Sequence, residues 1–462
     1  MVLMALIIQG NAMSLDDLLK DRNEAALSDF SRALDIDPSY AWAHYQRGQI
    51  YREIGRYGEA LADFCQAIEL VPDDSAYYAE RGETYRSLQR YDEALADFSR
   101  AIELDRDYAW ALGSRGQVYR SLQRYDEALA DLDRAIELTP TMAWVLAERG
   151  EIHRTLGRYD QAISDFSRAI EIQPSYTWAI GHRAIAYREQ QRYDESMVDL
   201  DQAIRLDDHQ AWLYAERGEA RRLMGHVDEA IDDLNRALEI DSHYAWAFGS
   251  RGAARRSLDQ LDEALADFSR AIELDRDYIW AIMQRGTLHR SQKRYDEALA
   301  DFSRVIELRP NHSTALAERG EIHRLHRRYD QAVADFSGAI AENDTYAWAI
   351  GSRGQAYRAL GRYAEAAEDL SRAYELKPDQ AWIIAERGET YRLMRRYEDA
   401  ISDFSRAIEI NPRDSWALSR RGAAYQSLKI FEEAYIDLTH AVEIDPDNAW
   451  AWAQRGSLFR QM

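Results

Sequence analysis

The chain has 462 residues, of which 46% are hydrophobic and 30% are charged, a composition typical of a folded protein. A formal net charge of −23 argues against sequence-independent nucleic-acid binding, which depends on clustered Lys and Arg. The single cysteine rules out an intrachain disulfide framework, and no run of 18 apolar residues is present to cross a membrane.

The first forty residues form a partial unit of the pattern that fills the rest of the chain. The opening MVLMALIIQG is apolar, but it is short and lacks the basic residues of a signal peptide. We therefore expect a cytoplasmic protein. Apolar residues at helical spacing then predict a helix over residues 24–35, which ends before Pro38.

Residues 41–448 consist of twelve repeats of 34 residues with no insertion. We number the positions of each repeat from 1 to 34, with Ala41 at position 1. Glycine occupies position 8 in every unit except one, which has Ala184. Apolar or small residues at positions 4, 8 and 11, and at 17, 20, 24, 27 and 28, predict two helices per repeat. All eight prolines fall at position 32, where they mark the end of the second helix.

The last unit, residues 449–462, has the sequence of a first helix without a second. Its large apolar residues are Trp450, Trp452, Leu458 and Phe459. Terminal units of repeat arrays usually carry polar outer faces, because no neighbouring repeat covers them. We therefore expect either a longer polypeptide or a contact between the incomplete ends of two molecules.

The Gly, Tyr, Ala, Phe and Pro at positions 8, 11, 20, 24 and 32 resemble the signature of the tetratricopeptide repeat. The resemblance covers nearly the entire chain and implies an all-α fold, an α-solenoid whose helix pairs form a right-handed superhelix. It divides the chain into a degenerate unit (1–40), twelve repeats (41–448) and a half repeat (449–462). Two features depart from the family, since Trp stands at position 2 rather than 4 and Arg replaces Leu at position 7.

Position 7 is arginine in all thirteen first helices, and position 23 is aspartate in all thirteen second helices. Position 23 falls within the apolar sector of its helix, where an unpaired carboxylate is costly to desolvate. An antiparallel hairpin brings the two positions to similar heights, so we predict a structural ion pair in each repeat and favour it over ligand binding by these arginines. The predicted pairs include Arg115 with Asp131, Arg149 with Asp165, and Arg217 with Asp233.

Positions 2, 5, 9 and 12 lie on one side of the first helix, away from its apolar seam, and we call this side the first-helix face. Position 2 is Trp in eleven of thirteen units and position 12 is Arg in twelve. The resemblance implies that this face lines a groove for an extended peptide or a partner helix. The candidate tryptophans are Trp110, Trp144, Trp178, Trp212, Trp246, Trp280, Trp348 and Trp382. The candidate arginines are Arg120, Arg154, Arg188, Arg222, Arg256, Arg290, Arg324, Arg358 and Arg392.

Both residue types also have a structural interpretation. Each tryptophan can pack on the neighbouring repeat. An arginine can pair with a position-9 glutamate on its own helix, as Arg154 can with Glu151, or across to the next helix. Most units lack that glutamate, which leaves their arginines without this partner. Because guanidinium and indole groups suit carboxylates and aromatic rings, we expect an acidic or aromatic-containing polypeptide. The Lys and Asn of chaperone-type clamps are absent from positions 5 and 9.

The sequence contains no phosphate loop, dinucleotide fingerprint or nucleophile elbow. Three histidines, His153, His289 and His323, replace the position-11 tyrosine and are interpreted as core residues. His323 and His326 are one turn apart, but no acidic third ligand recurs beside them. We therefore expect no catalysis, cofactor or metal, and no nucleic-acid or membrane partner.

Three hypotheses for the function follow from these patterns. The first is a non-catalytic scaffold that binds a polypeptide segment on the first-helix face. The second is a structural protein that assembles head to tail into filaments, tubes or rings through its incomplete terminal repeats. The third is a regulatory arm of a larger protein.

Overall fold

The computed structural model describes the backbone of residues 15–462 and the side chains of residues 22–462. The apolar opening segment, interpreted above as too short for a signal peptide, lies outside the described residues. The described chain forms helices joined by short turns and contains no strand. It divides into two compact units, one that ends at His226 and one that spans Val227–Met462.

Helices α1 to α12 belong to the first unit. Their bounds are Leu15–Ile36, Ala41–Glu53, Tyr57–Leu70, Ser75–Ser87, Tyr91–Leu104, Ala109–Ser121, Tyr125–Leu138, Ala143–Thr155, Tyr159–Ile172, Thr177–Glu189, Tyr193–Leu206 and Ala211–Met224. Helices α13 to α26 belong to the second unit. Their bounds are Val227–Ile240, Ala245–Ser257, Leu261–Leu274, Ile279–Ser291, Tyr295–Leu308, Ser313–Leu325, Tyr329–Glu342, Ala347–Ala359, Tyr363–Leu376, Ala381–Leu393, Tyr397–Ile410, Ser415–Ser427, Phe431–Ile444 and Ala449–Gln461.

Helix α1 is longer than the sequence predicted. It begins at Leu15 rather than at residue 24 and ends at Ile36, two residues before Pro38. The prediction was too short because it started from the repeat pattern, whereas residues 15–23 contain no glycine or proline that would end a helix.

Each complete repeat that lies within one unit is a hairpin with a tight turn at position 15. In the third repeat α6 ends at Ser121 and α7 begins at Tyr125, and Gln123 between them adopts a φ of 58°. This left-handed conformation favours glycine, and Gly157 occupies the same position of the next repeat with a φ of 71°. The second helix ends at position 30, as with Leu138, because position 32 is proline or the chain turns there.

The glycine at position 8 lies where the two helices of a hairpin approach most closely. A β-carbon added to Gly116 would lie 2.9 Å from the Leu132 side chain, and one added to Gly150 would lie 3.1 Å from Phe166. Leu132 and Phe166 have no solvent-exposed surface. In these two repeats the large residue at position 24 therefore packs against the backbone of the first helix at its glycine.

Within each unit the hairpins stack in chain order. Each second helix contacts the first helix of the next repeat, as α7 contacts α8, and successive first helices such as α6 and α8 also touch. The predicted all-α, α-solenoid fold is confirmed. Because neighbouring first helices touch, their first-helix faces adjoin within each unit.

Candidate functional site

In each repeat that lies within one compact unit, the arginine at position 7 binds the aspartate at position 23. Nε and Nη2 of Arg115 each lie 2.7 Å from a carboxylate oxygen of Asp131, and the equivalent distances from Arg149 to Asp165 are 2.8 and 2.6 Å. The Asp131 side chain is nearly buried, and its hydrogen bond raises the pKa of Arg115. The remaining Nη1 of Arg115 donates to Ser99 of the preceding repeat at 3.1 Å. Arg115 therefore links three helices and is occupied by contacts within its own chain.

The pair formed by Arg217 and Asp233 remains a prediction, because the two residues belong to different compact units. Within the first unit, Nη1 of Arg217 lies 2.7 Å from the carboxylate of Asp201.

The tryptophans at position 2 pack between repeats and leave part of each ring accessible. Trp110 meets Phe98 of the preceding second helix edge-on, with ring centroids 6.2 Å apart. Trp144 covers Gly113 so closely that a β-carbon there would lie 2.5 Å from its ring. The rings that cover a position-5 glycine in the same way are Trp212 on Gly181, Trp280 on Gly249, and Trp382 on Gly351. The half-buried candidates are Trp110, Trp144, Trp178, Trp212, Trp246, Trp348 and Trp382, whereas Trp280 is 38% exposed.

Some arginines at position 12 bind a glutamate of their own helix. Nε and Nη2 of Arg154 lie 2.8 and 2.7 Å from the two oxygens of Glu151. The same bidentate contact joins Arg222 to Glu219, Arg324 to Glu321, and Arg392 to Glu389.

The other candidate arginines bind a residue of the next repeat. Nε of Arg120 lies 2.7 Å from the carboxylate of Glu148, which stands at position 6 of the following first helix. The equivalent pairs are Arg188 with Glu216, Arg290 with Glu318, and Arg358 with Glu386, and Arg256 donates to Gln284. The candidate arginines without a position-9 glutamate therefore have a partner in the next repeat. The spacing inside one repeat does not indicate that position 6 supplies the partner, although glutamate recurs there, because the contact depends on how neighbouring repeats stack.

Burial and pairing shift the pKa values of these carboxyl groups in opposite directions. Burial alone would raise the pKa of Glu151, but hydrogen bonds from Arg154 and His182 outweigh it and hold the pKa at about 2. Burial raises the pKa of Glu216 and Glu318, which each face one arginine of the preceding repeat.

Each candidate arginine has a carboxylate or amide partner, so the first-helix face is not a row of unpaired cations. This removes the basis for expecting an acidic partner.

Two clefts flank the tryptophans of the tenth and eleventh repeats. One has a volume of about 330 Å³ and is lined by Glu321, Arg324, Trp348, Ser352, Gln355 and Trp382. The other, also about 330 Å³, lies beside the turns between repeats and is lined in part by Tyr346, Trp348, Lys377, Trp382 and Ile383. Trp348 and Trp382 thus border both clefts, and the first cleft is formed by positions 2, 6, 9 and 12.

The four apolar candidates of α26 differ in accessibility. Leu458 is fully buried and packs with Leu438, so its expected role in a contact between molecules is wrong; the residue belongs to the core of the last hairpin stack. Trp450 is half-buried and lies over the guanidinium of Arg420. Trp452 and Phe459 are 45% and 56% exposed.

The histidines at position 11 lie beside the buried ion pairs. Nε2 of His323 is 3.7 Å from the carboxylate of Asp335, and burial lowers the pKa of His323 as it does for His153 and His289. Residues 22–462 hold no group of three His, Cys, Asp or Glu side chains arranged to bind a metal ion. Of the helices between residues 15 and 462, none has the length and apolarity needed to cross a membrane.

Family comparisons match most of the repeat array. Models described as tetratricopeptide repeat match residues 74–141, 107–175, 213–244, 247–278, 283–347, 381–414 and 417–448. A model described as TPR repeat matches residues 18–51, 48–86 and 354–394. A search of curated proteins returned no significant match.

The solved structures that resemble this chain have low sequence identity to it. A chain of the APC/C hetero-tetramer Cut9–Hcn1 has 14% identity and a TM-score of 0.51, with 97% of each chain covered. A tetratricopeptide repeat protein from Parabacteroides merdae ATCC 43184 has 18% identity and a TM-score of 0.42, over 54% of this chain and 99% of that one. The TPR domain of P58(IPK) has 19% identity and a TM-score of 0.33, over 84% of this chain and 98% of that one. The first similarity establishes the fold alone.

Proposed function

Because this chain belongs to the tetratricopeptide repeat family, we propose that it is a non-catalytic scaffold that binds a polypeptide segment on its first-helix face. Proteins of this family generally serve protein–protein interaction. The observation that carries the proposal is the cleft bordered by Trp348, Ser352 and Trp382. We propose the cytoplasm as its location, since a single cysteine suits a reducing compartment.

The chemistry of this cleft suits a peptide side chain. Two half-buried indoles supply large, rigid contact surfaces, and Ser352 and Gln355 supply hydrogen-bonding groups. The Arg324 guanidinium is already bound to Glu321, so it forms part of the wall rather than an unpaired cation. Shape and stacking, rather than net positive charge, therefore favour binding here.

Selection of peptides from a random library on the full chain, followed by calorimetry, tests the proposal. Ser352→Leu fills the cleft. We expect it to lower the affinity for a selected peptide at least about tenfold, which corresponds to about 1.4 kcal/mol of binding free energy. Ser402→Leu, on an exposed position of α23, is the matched control and should leave the affinity unchanged. Selected peptides that bind the Ser352→Leu variant as well as the parent protein would contradict binding at this cleft.

A second candidate function, head-to-tail self-assembly, is favoured by the exposed apolar residues near α26. Trp452 and Phe459 are 45% and 56% exposed, and the Phe459 ring centroid lies 5.8 Å from that of Tyr435, which is 42% exposed. Apolar side chains of this size at one surface are typical of contacts between proteins.

Sedimentation of the full chain over a range of concentrations tests this second candidate. If these residues join molecules, the average mass rises with concentration, and Trp452→Ser with Phe459→Ser abolishes the rise. A mass that stays at that of one chain at all concentrations would exclude this mode of assembly.

A further inference from the structure

In the fifth repeat, the residue at position 6 is His182. Its imidazole ring fills the space between the position-2 tryptophans of its own repeat and the next. The His182 ring centroid lies 4.0 Å from that of Trp178 and 5.4 Å from that of Trp212. Nδ1 of His182 lies 3.0 Å from a carboxylate oxygen of Glu151 in the preceding repeat. A planar imidazole ring is therefore held by two indoles and one carboxylate.

In the twelfth repeat an arginine fills the same space. The guanidinium carbon of Arg420 lies 3.7 Å from the ring centroid of Trp450 and 5.6 Å from that of Trp416. Its Nη1 lies 3.6 Å from the carboxylate of Glu389, again at position 9 of the preceding repeat. Stacking of a guanidinium on indole faces is a favourable cation–π arrangement.

The glutamate in both cases serves two partners. Glu151 binds Arg154 of its own helix and His182 of the next, and Glu389 binds Arg392 in the same way while facing Arg420. An ionised carboxylate has enough lone pairs for both contacts. We call the space between two position-2 tryptophans, with a position-9 glutamate of the preceding repeat, the tryptophan slot.

In the tenth repeat position 6 is Ser352, which is far smaller than histidine or arginine. The slot has its two indoles, Trp348 and Trp382, and its carboxylate, Glu321, which is bound by Arg324 of its own helix. These residues line the cleft of about 330 Å³ described above. The slot thus contains the groups that hold His182 and Arg420, but its own side chain does not fill it.

The third repeat has a slot with the same residues. Its position 6 is Ser114, and its other members are Glu83, Arg86, Trp110, Gln117 and Trp144, each 238 residues before its counterpart in the tenth repeat. Arg86 donates to Glu83 as Arg324 does to Glu321. Trp144 covers Gly113 as Trp382 covers Gly351.

We propose that the slots at Ser352 and Ser114 each receive an arginine side chain of a partner polypeptide. The guanidinium stacks between the two indoles as that of Arg420 does, and it hydrogen-bonds to the glutamate as the His182 ring does within the chain. A net charge of −23 favours the approach of a basic segment. This inference rests on the proposed scaffold function and specifies the partner's chemistry at the same cleft.

The test uses the full chain labelled with ¹⁵N at its tryptophan indoles and the heptapeptide acetyl-Gly-Ser-Gly-Arg-Gly-Ser-Gly-amide. The indole signals of Trp348, Trp382, Trp110 and Trp144 are expected to shift together on titration. The same peptide with citrulline in place of arginine keeps the shape but loses the charge, and it is expected to bind at least about tenfold more weakly.

Variants assign the shifts to the slots. Ser352→Arg supplies the slot with a guanidinium of its own, so it should abolish the shifts of Trp348 and Trp382 and preserve those of Trp110 and Trp144. Ser402→Arg adds the same charge on the exposed side of α23 and should change none of them. Circular dichroism identifies any variant that fails to fold, and Ser114→Arg then provides the reciprocal test in the first unit.

Equal binding of the arginine and citrulline peptides, or no shift with either, would overturn the inference. Its failure is distinguishable from failure of the scaffold function. If library-selected peptides without arginine bind the parent protein but not Ser352→Leu, the scaffold proposal stands and the arginine inference falls. If the arginine peptide binds but Ser352→Arg does not block it, binding occurs elsewhere and the slot assignment is wrong.

Discussion

The carboxylate of Glu148 lies 2.7 Å from Nε of Arg120, so an ion pair joins the first helices of two neighbouring repeats. The side chain of Glu148 is 12% exposed and that of Arg120 is 34% exposed. Partly buried pairs of this kind interact more strongly than surface pairs because less water screens them. Ion pairs of this kind therefore join neighbouring first helices within each unit, and they also occupy the arginines of the first-helix face.

Removing this contact should destabilise the third and fourth repeats. We expect Glu148→Gln to lower the local free energy of unfolding by about 1–3 kcal/mol, because Arg120 then lacks its charged partner. Hydrogen exchange of amides in α6 and α8 measures the change. Glu137→Gln is the control, since Glu137 pairs with Arg134 at the surface and is expected to contribute less than about 0.5 kcal/mol. Equal effects of the two variants would contradict a structural role for the inter-repeat pair.

The ion pair within the hairpin should show strong coupling. We expect Asp131→Ala or Arg115→Ala alone to cost about 3 kcal/mol, because each leaves a poorly solvated charge without its partner. The double variant should cost much less than the sum of the two. Hydrogen exchange of α6 and α7 provides the double-mutant cycle, and additive effects would refute the pairing.

The depressed pKa of Glu151 predicts a specific dependence of stability on pH. Its folded pKa of about 2 lies below the unfolded value of 4.5, so the ionised form stabilises the fold. This contribution, about 3 kcal/mol, is complete above the unfolded pKa and is lost as the pH falls from about 4.5 towards 2. Glu151→Gln should therefore reduce local stability at pH 7 but have little effect near pH 2. A loss that is independent of pH would contradict this account.

Alanine in place of a position-8 glycine should destabilise a hairpin in which an added β-carbon would lie against the side chain at position 24. Gly252→Ala places a β-carbon 2.9 Å from the Phe268 ring and 3.2 Å from a backbone oxygen, so we expect a loss of about 1–3 kcal/mol. Gly58→Ala is the matched control, because no atom lies within 4 Å of its added β-carbon. It should stabilise α3 by about 0.5–1 kcal/mol, since alanine favours helix. Chemical denaturation of both variants measures the difference.

The hairpin was predictable from sequence because its determinants recur within one repeat. The spacing of Gly116 and Leu132 predicts helix packing, and the location of Asp131 in an apolar sector calls for a partner such as Arg115. The contact of Arg120 with Glu148 was not predictable in this way, because its partner lies in another repeat. Its geometry depends on how two first helices stack, which the spacing inside a repeat does not specify.

The tryptophan slots could not be predicted from the sequence for the same reason. The sequence shows Trp348 and Trp382 one repeat apart. It does not show that Ser352 lies between their rings, or that Glu321 of the ninth repeat lines the same cleft. The division into two compact units after His226 could not be predicted either, because the 34-residue period continues through this point without insertion.

Photo-crosslinking tests the binding role of the first-helix face most directly. Benzoylphenylalanine replaces Gln355, in the cleft wall, or Ser402, on the exposed side of α23, and each protein is irradiated with a library-selected peptide. The account predicts adducts from position 355 and none from position 402. Adducts formed equally from both positions, or only from position 402, would contradict it.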